Sequence, residues 1–594
     1  MKNKGILSIL LIFILVIILV VIIKFAISSN DSTSNKVIGE NKSSSTESET
    51  VDAIEISTNL NVAEVESEEY SEFDAKINLS NLTSSGDGVT IKNNTITISK
   101  EGTYYFTGKL SDGNIVVNAE KSKVTLVFEN AEITSTKTAV INVVNAKNVV
   151  INLVKGSNNV FTDSSNYTDF TDEDEPNSTI FSKADLYITG SGTLKINANY
   201  NNAIKSKDTL AIVDATIEIT SKDDGIIGKD FVSIKNAKIT VISDGDGIKS
   251  TNDEDETLGY VIIDNSTINV TSEADSIQAE TVVNISNSDI TLKTTGETES
   301  KTNNMLKSNN TQSTSTDSTS SKGIKAGKEI TINSGNITIT STDDSIHSNG
   351  YIIINDGKIE ISSGDDAIHA DNNILINNGT INIAKSYEGI EANYIKINTG
   401  KISVIASDDG INVSGGNSMG MMGEGTSGEV ADNARQLIIN GGTIYVKAQG
   451  DGLDANGSIV INGGDVTVVG TTNNGNGALD YDKIFNINGG NLIVYGATSM
   501  WQNPSTSSKQ YSICFGVSGS TGDKIVLKDS SGNEIANFTT ENSYGAITIS
   551  NSELKKGETY ALYVNGTEKS SQQLTSIVTS NLQAGGMQGR GMGR

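Results

Sequence analysis

Ser341-Thr342-Asp343-Asp344-Ser345-Ile346-His347-Ser348 returns as Ser363-Gly364-Asp365-Asp366-Ala367-Ile368-His369-Ala370. It returns again as Ser386-Tyr387-Glu388-Gly389-Ile390-Glu391-Ala392, and then as Ser407-Asp408-Asp409-Gly410-Ile411-Asn412-Val413. The small residue before each Ile marks the register: Ser345, Ala367, Gly389 and Gly410, in steps of 22, 22 and 21 residues. Between markers lies a constant filler: a short apolar run (Ile352-Ile353-Ile354), an Asn-x-Gly turn (Asn355-Asp356-Gly357), and an alternating run (Ile359-Glu360-Ile361). A repeat this short, built of strands and turns, is a solenoid signature.

The period selects the kind of solenoid. Ile and Val alternate in twos, with Asn, Asp and Gly at the breaks, so each unit reads strand, turn, strand, turn, short strand. No 3.6-residue stripe is sustained after the N-terminus, leucine is too scarce for a leucine-rich repeat, and the short Gly-doubled calcium β-roll repeat is absent. The spacing predicts an all-β chain, a parallel β-helix with roughly 22 residues per turn and turns stacked at about 4.8 Å. Inward Ile, Val and Ala form apolar ladders, and outward residues form columns where function must be sought.

Ahead of the repeat, Ile6 to Ile23 is apolar apart from Ser8, with Lys2, Lys4 and Lys24 at its flanks. About 20 apolar residues cross a bilayer. The expectation is an uncleaved transmembrane signal-anchor over residues 1–27, with everything beyond Lys24 outside the cell. Residues 28–84 are rich in Ser, Thr, Glu and Asn and read as a disordered stalk. The single cysteine, Cys514, excludes both an intrachain disulfide and a nearby lipid attachment. A net charge of −28 argues against nucleic acid as a partner.

The β-helix is expected over 85–505. Its markers run Ala203, Gly225, Gly247, Ser276 and Gly323, then the four above, then Gly452 and Ala478. Longer steps locate insertions: the acidic loop Asp253 to Glu256, a Ser/Thr/Asn tract around 296–320, and a Gly/Met tract at 414–434. All flank the short Asp-Gly-Ile strand, which singles out one face. After Trp501 and Pro504 longer strands with hairpin-like breaks predict a small antiparallel β domain, 506–575, covering the last turn. Residues 576–594 read as a disordered Gly/Met tail.

Two columns run up the chosen face. The first precedes the marker: Asp224, Asp246, Asp275, Asp344, Asp366, Glu388, Asp409 and Asp451, with Asp223, Asp244, Glu273, Asp343, Asp365 and Asp408 one or two residues earlier. A lone Asp of this kind makes a turn. Stacked at strand spacing, the same carboxylates repel appreciably. Calcium, which takes six to eight oxygens in irregular cages, is the expected neutraliser outside a cell. With two histidines and one cysteine in the chain, transition metals are not expected. The second column follows the Ile: Lys205, Ile227, Lys249, Gln278, Lys325, His347, His369, Glu391, Asn412, Asp454 and Asp480, basic early and acidic late. It reads either as a solvated face or as a groove graded in charge. In the groove, lysines meet an acidic polymer and Tyr387, Tyr394 and Tyr481 offer contacts to sugar rings.

The Ser-Asp-Asp-Gly-Ile repeat, the Asn-Gly-Gly-x-Ile turns, the Met/Gly insertion and the terminal strand region with its Gly-rich tail resemble one family. It is the bacterial cell-surface carbohydrate-binding β-helix family, itself similar to pectate lyases. The resemblance covers roughly 85–575. It implies a right-handed parallel β-helix, bound calcium, and affinity for acidic plant polysaccharide such as polygalacturonate, or for cellulose. Lys322 stands where the repeat expects an acid, and Gly477 where it expects another, so calcium is not implied at those turns.

Three functions follow as expectations. The first is calcium-dependent binding of acidic polysaccharide at the cell surface without catalysis. The second is a polysaccharide lyase in which calcium acidifies the proton beside a uronate carboxylate and Lys249 or Lys325 removes it; a two-carboxylate hydrolase is a variant with no pair marked out. The third is a non-catalytic surface adhesin or scaffold.

Overall fold

A computed structural model describes residue 60 and residues 65–170, 175–296, 320–414, 435–473 and 475–582. The expected anchor at 1–27, most of the stalk, the Ser/Thr/Asn tract, the Gly/Met tract and the last dozen residues lie outside the described residues. Among the described residues there is no helix, and so none long and apolar enough to cross a membrane.

Most of the alternating runs form strands that pair in parallel with their counterparts one repeat later, an all-β topology consistent with a β-helix solenoid, while Val89–Lys92 and Thr95–Ile98 near the start pair antiparallel. Three ladders result. The first holds the short strands, in register through Ile346, Ile368, Ile390, Ile411, Leu453 and Leu479. The second runs through Ile352, Ile374, Ile395, Leu437, Ile459 and Phe485. The third runs through Ile359, Ile381, Ile402, Ile444, Val466 and Leu492. All these side chains are buried in one continuous core. Burying each contributes about 1.5–3 kcal/mol, and a one-residue slip would turn a whole rung outward, so register is strongly set.

The Asn-x-Gly turns between the second and third ladders are themselves stacked. Asn355 donates to Asn333, Asn377 to Asn355, Asn398 to Asn377, Asn440 to Asn398 and Asn462 to Asn440, each amide-to-amide bond 2.8–2.9 Å long. The glycine two residues on holds positive φ (Gly357 121°, Gly379 116°, Gly442 92°), a region that costs an L side chain strain.

The stacking begins earlier than residue 85. Ala75–Asn78 pairs in parallel with Tyr104–Thr107, and Ala75, Ile77 and Leu79 are buried. The polar residues around these three mask their alternation in the sequence. At the other end, the last third-ladder strand, Asn491–Gly496, pairs antiparallel with Ala546–Ser550, which also pairs with Ser512–Phe515. Beside it Lys524–Asp529, Glu534–Thr539, Thr559–Val564 and Thr567–Gln573 form a four-stranded antiparallel sheet. Val469 and Tyr495 of the ladders share a core with Ile513, Phe515, Ile525 and Leu562 of this region, so the open edge of the last turn is covered. Val578–Ser580, expected within a disordered tail, is a strand paired with Ser512–Cys514.

Candidate functional site: a carboxylate column beside a graded column

The first-ladder strands are only three residues long in most turns. Their outer two residues point inward, so one side chain per turn faces out. That residue is in register from Lys205 through Ile227, Lys249, Gln278, Lys325, His347, His369, Glu391, Asn412 and Asp454 to Asp480. The second column is therefore a physical row, basic at the early turns and acidic at the late ones.

The acid column lies against it, held by the backbone. The N–H of Asp246 donates to Asp224 Oδ1 (2.7 Å), that of Asp275 to Asp246 (2.8 Å), and that of Lys322 to Asp275 (2.7 Å). Asp366 donates in the same way to Asp344 (3.1 Å), Glu388 to Asp366 (3.2 Å) and Asp451 to Asp409 (2.6 Å). One carboxylate oxygen per turn thus satisfies the next turn's backbone, and the acids line one side. The companions differ in placement: Asp244 is exposed, whereas Asp223, Asp343, Asp365 and Asp408 are half-buried.

The other carboxylate oxygen decides the chemistry, and it changes along the column. In the early turns the chain supplies its own cation. Lys249 Nζ lies 2.6 Å from Asp246 Oδ2 and 3.8 Å from Asp224 Oδ2, and Lys325 Nζ lies 3.3 Å from Asp275 Oδ2. Lys322 Nζ lies 2.9 Å from Asp343 and 2.7 Å from Asp344. Burial disfavours the Lys249 ammonium, but Asp246 and Asp224 more than offset it and hold its pKa above the ordinary lysine value. Burial lowers that of Lys205. Burial likewise penalises the Asp344 carboxylate, yet its bonds from His347 and Lys322 hold its pKa below the usual range. The middle turns carry the two histidines, with His347 Nδ1 2.9 Å from Asp344 Oδ2 and His369 Nδ1 3.4 Å from Asp366 Oδ2.

The late turns have no such partner. Among the described residues, no Lys, Arg or His forms an ion pair with Glu388, Asp409, Asp451, Asp454 or Asp480. Carboxylate oxygens of Asp409, Asp451 and Asp454 lie within 4.8 Å of one another. Burial and mutual repulsion push Asp409 and Asp454 up to about 7, and burial with Asp366 and Glu391 pushes Glu388 up to about 9. Asn412, buried between Glu391 and Asp454 in the row, donates its amide to Glu388 Oε2 (2.8 Å) and leaves its own Oδ1 without a hydrogen-bond partner. Clustered carboxylates with no cation among them are donors suited to a hard cation.

The aromatic expectations divide. Tyr387 lies half-buried in the acid column's turn, its N–H donating to Asp365 O. Tyr394 belongs to the second ladder, in register with Asn373 and Gln436, and does not share the row. Tyr481 bonds Asn503 O at 2.6 Å and stacks edge-on to Phe485. Sequence reading missed Lys322 as a functional cation. The available signal was its place in the acid column, one rung from Asp344.

Acids with raised pKa values bind protons more tightly when folded, so the stability they confer is present at low pH. It is lost as pH rises from about 4 through about 7 for Asp409 and Asp454, and through about 9 for Glu388. His369 is penalised by burial, but Asp366 and Glu391 raise it to about 9; its contribution is complete below 6.5 and lost as pH rises through 9. All have one sign. Thermal melting in chelator is expected to show a midpoint that falls steadily from pH 5 to pH 9. A midpoint that stays flat would mean that the late carboxylates are already neutralised by other means.

A relative settles the family. A carbohydrate-binding domain-containing protein of Acetivibrio thermocellus is 38% identical over 224 residues, covering 37% of this chain and 77% of the relative. The chain belongs to the carbohydrate-binding domain-containing protein family. Residues 92–367 match that family as a whole, from the first ladders to the His369 turn. A solved polysaccharide lyase-like protein from C. thermocellum, a gadolinium derivative, is 31% identical and covers 36% of this chain and 94% of its own length. Its TM-score of 0.34 is too low to inform the fold. The match of 92–367 to the carbohydrate-binding domain-containing family ends before the Asp409, Asp451 and Asp454 turns.

Proposed function

We propose that this chain binds acidic polysaccharide of the polygalacturonate class through calcium held at the late turns of the acid column, without catalysis. We place it outside the cell, anchored by residues 1–27, as a right-handed parallel β-helix; parallel crossovers are right-handed almost without exception. Membership of the carbohydrate-binding domain-containing family supports a polysaccharide partner. The observation that carries the calcium reading is the cluster of Asp409, Asp451 and Asp454, with Asn412, in register with Asp454, leaving its own oxygen without a hydrogen-bond partner.

A chain of net charge −28 repels a polyuronate unless a cation lies between them. Calcium takes six to eight oxygens, and a site supplying only part of that number leaves positions for a ligand's carboxylate and hydroxyl oxygens. Binding and metal are thereby one event. The lyase reading is disfavoured by the pairing of its candidate bases. A proton acceptor must be a neutral amine, whereas Lys249 is held charged by Asp246 and Lys325 is salt-bridged to Asp275.

Affinity electrophoresis through polygalacturonate is expected to retard the protein in calcium and to release it in chelator. Incubation of protein, polymer and calcium is expected to give no rise in unsaturated-uronate absorbance. Retardation that persists in chelator would defeat the calcium bridge, and an absorbance rise abolished by Lys249→Ala would establish the lyase instead.

A further inference from the structure

We infer that the histidine turns form a second metal centre, built for zinc or a similar nitrogen-seeking divalent ion and separate from the late carboxylate cluster. The chain has two histidines, and both fall on one rung pair, His347 directly in register with His369. Their rings lie 4.9 Å apart, edge to face.

His347 Nε2 lies 3.1 Å from Asn349 Oδ1, within hydrogen-bond reach, whereas His369 Nε2 lies 3.7 Å from Asp371 Oδ1, beyond it. A neutral imidazole whose Nε2–H is held by an acceptor turns its bare Nδ1 the other way. Both Nδ1 atoms face carboxylates: Asp344 Oδ2 at 2.9 Å from His347 and 4.0 Å from His369, with Asp366 Oδ2 at 3.4 Å and Glu391 Oε2 at 3.8 Å from His369. Each Nδ1 either carries a proton that it donates to its carboxylate, or is bare and shares a metal ion with it.

The distances suit a metal. Zinc bonds of about 2.0–2.2 Å in a tetrahedron place neighbouring donor atoms roughly 3.3–3.5 Å apart, and the four separations above span 2.9–4.0 Å. Two trios of donors meet at the shared His369: Asp344, His347 and His369, and Asp366, His369 and Glu391. Two imidazoles with carboxylates suit zinc, copper or nickel, whereas calcium favours oxygen alone. Asn349 Oδ1, on His347 Nε2, is the kind of outer partner that fixes a ligating ring. Lys322 Nζ, 2.7 Å from Asp344 Oδ2, is the competing cation; it keeps Asp343 at 2.9 Å when Asp344 turns to a metal.

The test is titration of metal-stripped full-length protein with Zn2+ by calorimetry, and with Co2+ by visible absorption. One tight equivalent is expected, with the intense ligand-field bands of a four-coordinate cobalt ion, undiminished by excess calcium. His347→Ala and His369→Ala are each expected to weaken Zn2+ by at least about 100-fold, and Asn349→Ala, which only orients His347, by about 10–100-fold. Asn349→Ala, outside both columns, should leave the calcium-dependent retardation on polygalacturonate intact, so failure here is distinct from failure of the glycan reading. Melting midpoints measured without zinc confirm that the variants fold. Absence of stoichiometric binding by folded protein, or binding unchanged in the double histidine variant, would overturn the proposal in favour of two rings hydrogen-bonded through Nδ1–H to their carboxylates.

Discussion

Asp344→Ala is expected to lower stability by about 3–5 kcal/mol, the cost of stranding one partner of a buried ion pair. Asp344 is almost fully buried. Its Oδ1 accepts the Asp366 N–H of the next turn, and its Oδ2 meets both Lys322 and His347. Truncation removes all three partners at once. The Lys322 ammonium is then left largely buried against Asp343 alone. The exposed companion Asp244, whose visible partner is the solvent-facing Lys222, is the control: Asp244→Ala should fall within about 0.5 kcal/mol of the parent. Asp344→Asn keeps an oxygen for the Asp366 N–H but loses the charge, and should lie between the two. Denaturation midpoints decide the matter. Equal losses for Asp344→Ala and Asp244→Ala would mean that the acid column does not bear on stability at all.

Neutralising the late cluster is expected to work in the opposite direction. Replacing Asp409, Asp451 and Asp454 by asparagine removes the repulsion that pushes Asp409 and Asp454 up to about 7. In chelator the triple variant should therefore melt above the parent at neutral and alkaline pH. In calcium the order should reverse. A ligand at a hundred times its Kd stabilises by about 2.7 kcal/mol, and the variant should show none of that shift and no retardation on polygalacturonate. Asparagine keeps one carbonyl oxygen and the size of aspartate, so the acceptor for the Asp451 N–H remains at position 409. A variant that still gained stability from calcium would place the ion elsewhere.

How much of this was legible in the sequence follows from what stacking imposes. A strand buried on one face must alternate, and a rung must repeat at the circumference of the turn. The markers from Ala203 to Ala478 and the row from Lys205 to Asp480 could therefore be read from spacing, and the register reproduces them. Spacing does not say where a side chain's second oxygen points. The doubled acids looked alike in sequence, yet Asp246 and Asp275 are met by Lys249 and Lys325 while Asp409 and Asp451 are not met by any lysine among the described residues. That distinction depends on the reach of a lysine three residues on, as for Lys249, or on a neighbouring rung, as for Lys325 and Lys322, which is a three-dimensional fact. Tyr394 illustrates the same limit. Its turn is one residue shorter, with a register shift between Ala370 and Asn373, and it falls on the second ladder. Ala75, Ile77 and Leu79 show the converse: a true alternation was present, too short to stand out from a polar segment.

The most direct test is a calcium soak of crystals of this protein, read by anomalous difference density. A peak about 2.3–2.6 Å from carboxylate oxygens of Asp409, Asp451 and Asp454, with none between Lys249 and Asp246, is the expected result. Density at the lysine-paired turns with none at the late cluster would contradict the account.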